Sequence, residues 1–265
     1  TGGKYAGERM PLYIKPNHKV SAQELKDCMR DQYEGTPLDI TQGPDAGPWN
    51  SKLRYGSLGF QYDSVQYWFE RPIATQQTGW SFVAQMRGYE GAHAGGILWF
   101  GVDDAATSLY VPMYSSITAV PECFQEGNGD LYTYSPTSAW WTYNIVANWA
   151  YSKYSAMLPD IQKVQTAWED KFNAQVEVVD KAVAELNAAD KAAWLTKYSC
   201  MQAQESTAAW KELGIYLFVK YLDGQQRKEQ DGQFLRNPYG LPEGPNRVPY
   251  PAEFLQTIHE HVAHE

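Results

Sequence analysis

Apolar and polar residues alternate along the chain from residue 61 to about residue 114, and glycines interrupt the alternation. This period of two, with many aromatic and β-branched residues, is typical of strands joined by turns. We predict four strands, at residues 65–72, 79–87, 96–102 and 109–114, and their short connections favour antiparallel pairing in sequence order. The second predicted strand has two different sides. Its apolar side carries Trp80, Phe82, Ala84 and Met86, and its mixed side carries Ser81, Val83, Gln85 and Arg87.

Helical spacing dominates the remaining apolar pattern. Ser21 and Glu24 form a capping box at the start of a short helix predicted over residues 21–33, and Gly35 follows as a stop. Beyond residue 138 we predict a helix, a break near Pro159, a long helix, and a further helix over residues 191–222 that forms an antiparallel hairpin with the long one. The apolar stripe of the first helix is Leu25, Cys28, Met29 and Gln32, and that of the long helix is Ile161, Val164, Trp168, Phe172, Val176, Val179, Val183 and Leu186.

Two segments rich in proline and glycine, residues 35–59 and 223–251, are predicted to be loops, and residues 253–265 a short terminal helix. The pattern therefore predicts an α+β fold with an antiparallel sheet. We divide the chain into a sheet-containing portion at residues 1–137, a helical hairpin subdomain at residues 138–222, and a tail at residues 223–265 that packs on the domain.

Composition and charge narrow the class of partner. The chain has 265 residues, with 22 Lys and Arg against 31 Asp and Glu, and its formal net charge is −9. An acidic balance disfavours nucleic acid and anionic membranes as general partners. No stretch reaches the roughly 18–20 apolar residues of a membrane span, and the start of the chain lacks the apolar core of a signal peptide, so we predict a soluble chain.

The three cysteines, Cys28, Cys123 and Cys200, are widely spaced and form no C-x-x-C motif. Neither a disulfide framework nor a zinc site is predicted, and no cofactor is expected. The number of cysteines does not determine the cellular compartment of the protein. Ten tryptophans and nineteen tyrosines would suit a stacking surface, but most of the tryptophans lie at core spacing.

Several residues could carry chemistry. A free N-terminal Thr1 can act as a nucleophile with its own amine as base, or Thr1 is only where the sequence starts. His259, His261 and His264 cluster at the end of the chain, where fixed metal geometry is unusual. His93 lies in a glycine-rich turn and is interpreted as a solvated turn residue.

Polar groups also collect at the ends of two predicted strands. Asp103 and Asp104 follow an apolar strand, where adjacent carboxylates serve proton transfer, hold a substrate amine, or only shape a turn. The run from Thr75 to Ser81 places amide and hydroxyl groups at the entrance of a strand. Such groups bind peptide carbonyls or a carboxylate, although polar turns before strands are common.

Ordered blocks of the sequence resemble a known family. The blocks are ATQQTGWSFVAQMR at residues 74–87, GGILWFGVDDA at 95–105, YVPMY at 110–114 and ITAVP at 117–121, with MPLYIKP at 10–16 and MRDQYEGTPLD at 29–39 upstream. In this order they are similar to the C-terminal half of the peptidase family C69 dipeptidases. The resemblance covers roughly the first half of the chain. The helical second half resembles the family only in its general residue pattern.

The resemblance implies an N-terminal nucleophile hydrolase with a layered αββα fold. In such an enzyme a terminal cysteine attacks the peptide carbonyl, with its own α-amine as base. This sequence departs from the pattern, because its first cysteine is Cys28, inside a predicted helix. We therefore expect the C-terminal part of a longer cysteine dipeptidase, inactive alone, which can stay bound to its N-terminal portion through the shared sheet.

Polarity at strand ends gives the substrate-binding candidates: Gln76, Gln77, Thr78 and Ser81, with Asp103 as the partner of the substrate's amino group. None of the present residues takes the catalytic nucleophile's role. One alternative is a noncatalytic peptide- or glycan-binding module with an aromatic-rich surface. Another is an assembly role, in which the helical hairpin packs against a second copy through Phe172 or Val179.

Overall fold

The computed structural model describes residues 11–54, 59–68, 71–244, 247 and 249–262. It has a mixed α+β fold, as predicted, with small antiparallel sheets and several helices. The helices are α1 (Ala22–Met29), α2 (Ala139–Tyr151), α3 (Tyr154–Val183), α4 (Ala188–Tyr221) and α5 (Ala252–Val262). The strands are β1 (Gly59–Tyr62), β2 (Val65–Trp68), β3 (Trp80–Gln85), β4 (Ile97–Val102), β5 (Val111–Tyr114), β6 (Glu229–Gln230) and β7 (Gln233–Phe234).

The central sheet contains β3, β4 and β5 in that order, and both pairs are antiparallel. The prediction of sequential antiparallel pairing is therefore confirmed for these strands. Trp80 lies opposite Val102, and Leu98 lies opposite Met113. This register brings the start of β3 and the end of β4 to the same end of the sheet.

The strand predicted at residues 65–72 does not join this sheet. Its described part, β2, pairs instead with β1, a strand that the sequence pattern missed. The connection is the dipeptide Asp63-Ser64, and both residues have positive φ angles, 46° and 63°. Two such residues make a tight hairpin turn, which is why β1 and β2 pair locally as a separate ribbon.

The two sides of β3 have unexpected surroundings. The mixed side is covered: Ser81, Val83 and Arg87 are buried. The apolar side is not, because Trp80 is 61% exposed and Phe82 is 45% exposed. We call the covered side of the central sheet the inner face and the other side the open face. The open face also carries Ala84, Met86, Leu98 and Phe100.

Helix α1 begins as predicted but buries another side. Ser21 Oγ accepts a hydrogen bond from the Glu24 amide, and the Glu24 carboxylate accepts one from the Ser21 amide, so the capping box is confirmed. The predicted apolar stripe is wrong in part, since Leu25 and Cys28 are exposed. Lys26 is 0% exposed instead, with its ammonium 3.6 Å from the centre of the Trp99 ring on the inner face. The cation–π contact and the aliphatic stem make this burial favourable.

The helical region follows the predicted stripe, but its break is displaced. Helix α2 ends at Tyr151 and α3 starts at Tyr154, so the predicted break at Pro159 is wrong. Pro159 lies early in α3, where it costs one backbone hydrogen bond without ending the helix. Phe172 and Val179 are fully buried in the core that joins the helices to the inner face, so the predicted assembly contacts through them are also wrong.

Tryptophans divide between core and surface, so the expectation that most are core residues holds only in part. Trp99 and Trp210 are fully buried, whereas Trp68 and Trp80 are exposed. In the described part of the chain, no helix is both long enough and apolar enough to cross a membrane.

Candidate functional site

Polar side chains converge where the start of β3 meets the end of β4. The Asp103 amide donates a hydrogen bond of 2.9 Å to the carbonyl of Gly79, which ties the end of β4 to the loop before β3. Helix α2 packs against this end of the sheet and supplies Asn144 and Tyr151. We use the term buried cluster for Lys52, Asp103, Asp104, Asn144 and Tyr151.

Asp104 is the fully paired carboxylate of the buried cluster. Its Oδ1 lies 2.5 Å from the ammonium of Lys52 and 3.1 Å from the amide nitrogen of Ala106, and its Oδ2 accepts a hydrogen bond of 2.6 Å from the Tyr151 hydroxyl. Lys52 and Asp104 are both completely buried. Lys52 also donates to the carbonyl of Ala74, at 3.3 Å. The pair therefore fixes the loop before β3 to the turn after β4.

Asp103 lies next to this pair in a different environment. Its φ angle is +67°, in the left-handed region that side chains other than those of Asn and Asp rarely adopt. Its Oδ1 accepts a hydrogen bond of 2.8 Å from Asn144, while its Oδ2 is buried without a partner among the described residues. Burial raises the pKa of the Asp103 carboxyl to about 7, with a further contribution from the charge of Asp104.

The two neighbouring carboxyls can therefore serve different purposes. Asp104, paired with Lys52, is a fixed anchor for the local backbone. Asp103 has a pKa near neutrality and a free oxygen, which suits proton exchange or the binding of a cationic amine. Strained backbone at such a position is typical of functional sites.

The predicted site residues lie at the same end of the central sheet, three of them in the loop before β3, with Ser81 in β3 and Asp103 after β4. Gln76 is half-buried and donates to the carbonyl of Arg54, at 3.3 Å. Gln77 is exposed, and Thr78 is half-buried. Ser81 points to the inner face, where its hydroxyl lies 2.8 Å from that of Tyr110. Gln77 is thus the most accessible of the predicted residues, and Ser81 and Asp103 lie beneath the surface.

Sequence reasoning missed three members of the buried cluster: Lys52, Asn144 and Tyr151. Lys52 is a single lysine in a proline-rich loop, and no local pattern distinguishes it. Asn144 and Tyr151 are seven residues apart on α2, which is two helical turns, so they share one side of the helix. This spacing of a polar residue and a tyrosine on one side of a helix is the sequence feature that could have indicated them.

Replacing Ser81 with alanine is expected to lower the free energy of unfolding by about 1–2 kcal/mol, because the buried Tyr110 hydroxyl loses its partner. Urea denaturation followed by fluorescence measures the change. The double variant Ser81→Ala/Tyr110→Phe removes both hydroxyls and should be no less stable than Ser81→Ala. Equal stability of Ser81→Ala and the parent chain would contradict this role for Ser81.

The histidines lie away from the buried cluster. His93 is exposed in its turn, and its carbonyl accepts a hydrogen bond from Lys191. His259 is exposed on α5. Thr1, His264 and the side chain of His261 lie outside the described residues. Among the side chains that the structure describes, no group of three or more His, Cys, Asp or Glu is arranged to hold a metal ion.

Comparisons with known proteins agree with the resemblance seen in the sequence. The sequence model of peptidase family C69 matches residues 3–167, which is more than half of the chain. The matched segment contains the central sheet, α2 and every member of the buried cluster. Dipeptidase A of Lactobacillus helveticus is 23% identical over 124 residues, which are 47% of this chain and 23% of that protein. The match thus spans less than a quarter of the length of that relative.

Proposed function

The chain belongs to peptidase family C69, and from this premise we propose that it is part of a cysteine dipeptidase whose N-terminal cysteine nucleophile lies outside these 265 residues. The observation that carries the proposal is the family match over residues 3–167, because it includes the sheet and the buried cluster together. The similarity to Dipeptidase A supports dipeptides as the substrate class.

The cysteines of the chain support a nucleophile elsewhere. Cys123 is buried, and burial raises the pKa of its thiol, which disfavours the thiolate. Burial also raises the pKa of the Cys200 thiol on α4. Cys28 is exposed on α1 and makes no hydrogen bond to a base in the described part of the chain. None of the three has the features of an activated nucleophile.

The open face supports a layered αββα arrangement. Trp80, Phe82, Met86 and Leu98 expose large apolar side chains on one side of the central sheet, while helices cover the other side. A sheet face of this composition is normally covered by a second layer. We assign that layer to a second sheet formed by the remainder of the protein. The division of the chain into a sheet-containing portion, a helical hairpin and a tail, with boundaries after residues 137 and 222, stays a prediction.

Gln77 is assigned to the substrate from its accessibility, and the other contacts are assigned from their chemistry. Gln76, Gln77 and Thr78 provide amide and hydroxyl groups for the main chain of a dipeptide. Ser81 holds the start of β3 from beneath, and the free Oδ2 of Asp103 accepts the α-ammonium group of the substrate. In the reaction a thiolate attacks the peptide carbonyl, the cysteine's α-amine transfers the thiol proton to the leaving amine, and water then hydrolyses the thioester.

The decisive experiment uses the complete open reading frame that encodes these residues. The purified protein is expected to hydrolyse dipeptides, and mass spectrometry is expected to find cysteine at its mature N-terminus. Failure of that protein to cleave any dipeptide would contradict the proposal. Cleavage of dipeptides by the 265-residue chain alone would also contradict it.

In the same protein, Gln77→Ala is expected to lower kcat/KM for dipeptides by about tenfold, which corresponds to the loss of one hydrogen bond to the substrate. The matched control is Gln204→Ala, an exposed glutamine on α4 away from the buried cluster. It should leave kcat/KM unchanged. An unaltered kcat/KM in Gln77→Ala would remove Gln77 from the site and leave the proposed enzyme class intact.

A noncatalytic binding module is a second candidate, favoured by the β1–β2 hairpin. Phe60, Tyr67 and Trp68 are exposed there, and the rings of Phe60 and Tyr67 stack with centroids 5.1 Å apart. Exposed aromatic rings of this kind suit sugar rings or peptides. Millimolar or tighter binding of a glycan or peptide by the isolated chain, measured by calorimetry with a change in tryptophan fluorescence, would favour this function.

A further inference from the structure

An apolar groove lies on the outer side of the helical region, between α2 and α4. Its walls are Ile145 and Trp149 from α2 and Ile215 and Phe218 from α4, and Gly214 forms part of its floor. Two adjoining parts of the groove have volumes of about 300 and 350 Å³. Ile145, Ile215 and Phe218 are each about half exposed, so the described residues leave the groove uncovered.

Helix α5 has an uncovered apolar side of its own. Leu255, Ile258 and Val262 are exposed and are spaced three and four residues apart, so they form one stripe. The start of α5 is anchored elsewhere, because Phe254 packs on Tyr250 and Tyr250 packs on Trp49, with ring centroids 5.3 and 5.7 Å apart. The start of α5 is therefore held against its own chain while the stripe remains exposed.

We propose that the α5 stripe of one copy binds in the α2–α4 groove of a second copy, with the reciprocal contact made at the same time. This inference is independent of the proposed function.

The dimensions of the two surfaces agree. The stripe from Leu255 to Val262 and the α4 wall from Lys211 to Phe218 each extend over seven residue steps, or ~10.5 Å of helix axis. An amphipathic helix with anchors at this spacing is a common occupant of an apolar groove.

Charge and area favour a second copy. Lys211 is the charged residue that lines the groove, while the charged residues of α5 include Glu253 and Glu260 and no Lys or Arg. One side of an 11-residue helix is a half-cylinder about 16 Å long and about 10 Å in diameter, and its curved surface is roughly 250 Å². A single contact then buries roughly 500 Å² in total, below the area of a specific interface, whereas two reciprocal contacts reach about 1,000 Å².

The test is sedimentation velocity of the 265-residue chain over a range of concentrations. The parent chain should form dimers with a dissociation constant on the order of 10 µM, as a small interface predicts. Phe218→Glu in the groove and Ile258→Glu on α5 should each weaken association at least ~100-fold. Leu131→Glu, an exposed leucine outside both surfaces, is the matched control and should remain dimeric.

Mixing the two variants distinguishes binding of α5 to the groove of a second copy from binding of α5 to the groove of its own chain. Phe218→Glu retains an intact α5, and Ile258→Glu retains an intact groove, so an equimolar mixture should associate through one helix–groove contact, more weakly than the parent chain but more tightly than either variant alone. A parent chain that stays monomeric at several hundred micromolar overturns the proposal. A dimer that survives both substitutions, as association through the open face would, also overturns it. So does a mixture that associates no more tightly than either variant alone.

Discussion

Replacing Lys52 with methionine is expected to lower the free energy of unfolding by ~3–5 kcal/mol, because it leaves the completely buried Asp104 carboxylate without its cation. Methionine keeps the length of the lysine stem, so the loss comes mainly from the missing charge and from the hydrogen bond to the Ala74 carbonyl. Urea denaturation at pH 7, followed by circular dichroism and fluorescence, measures the difference.

The control removes both charges. In Lys52→Met/Asp104→Leu the Asp104 carboxylate that lost its cation is removed as well, so most of the lost stability should return, although the Tyr151 hydroxyl and the Ala106 amide lose their acceptor. A loss below about 1 kcal/mol in Lys52→Met would show that the ion pair is not buried as described. A double variant as unstable as the single one would show that packing, rather than charge, explains the loss.

Asp103→Asn is expected to abolish a decline in stability that the parent chain shows between about pH 4 and pH 7. Burial raises the pKa of Asp103 from 3.8 to about 7 in the folded chain, so the folded chain binds more protons than the unfolded chain in this interval. Stability from this group is therefore complete below pH 3.8, falls as the pH rises to about 7, and is constant above that. At about 1.4 kcal/mol per pH unit, the advantage of the variant above pH 7 is on the order of 4 kcal/mol.

Urea midpoints measured at several values between pH 4 and pH 8 test this expectation. Asp130→Asn is the control, because Asp130 is an exposed carboxyl whose pKa is lowered by hydrogen bonds from the Tyr132 backbone and Thr133. Its removal should leave the decline in place. If Asp103→Asn follows the same curve as the parent chain, Asp103 does not titrate in this interval.

Local sequence patterns determined the parts of the fold that depend on neighbouring residues. The capping box of Ser21 and Glu24 needs only three residues of spacing, and β3, β4 and β5 pair across short connections. These features were predictable because the interacting groups lie close together along the chain.

Long-range contacts explain most of the failures. Lys26 is buried because the Trp99 ring lies above it, and no pattern within α1 indicates a ring from β4. The buried cluster has the same origin, since Lys52 and Tyr151 are 52 and 47 residues from Asp104. Paired acids at a strand end pointed to the right place, but their partners could be identified only from the folded chain.

Periodicity also cannot tell which side of an amphipathic strand is covered. The apolar side of β3 was the obvious one to bury, yet the helices pack on the mixed side, where the Ser81 hydroxyl meets that of Tyr110 and Arg87 pairs with Asp180. Each of these polar groups has a partner, so burial costs little. The substrate-binding role of Gln76, Gln77, Thr78, Ser81 and Asp103 stays a prediction.

The open face of the central sheet affects how these residues behave while the polypeptide is being made. Trp80, Phe82 and Met86 form an apolar surface that chaperones and other nascent chains bind readily. Under the proposed layered arrangement, the open face stays accessible until the second layer has folded against it. We therefore expect the exposed open face to limit soluble expression of this segment more than the stability of the helical core does.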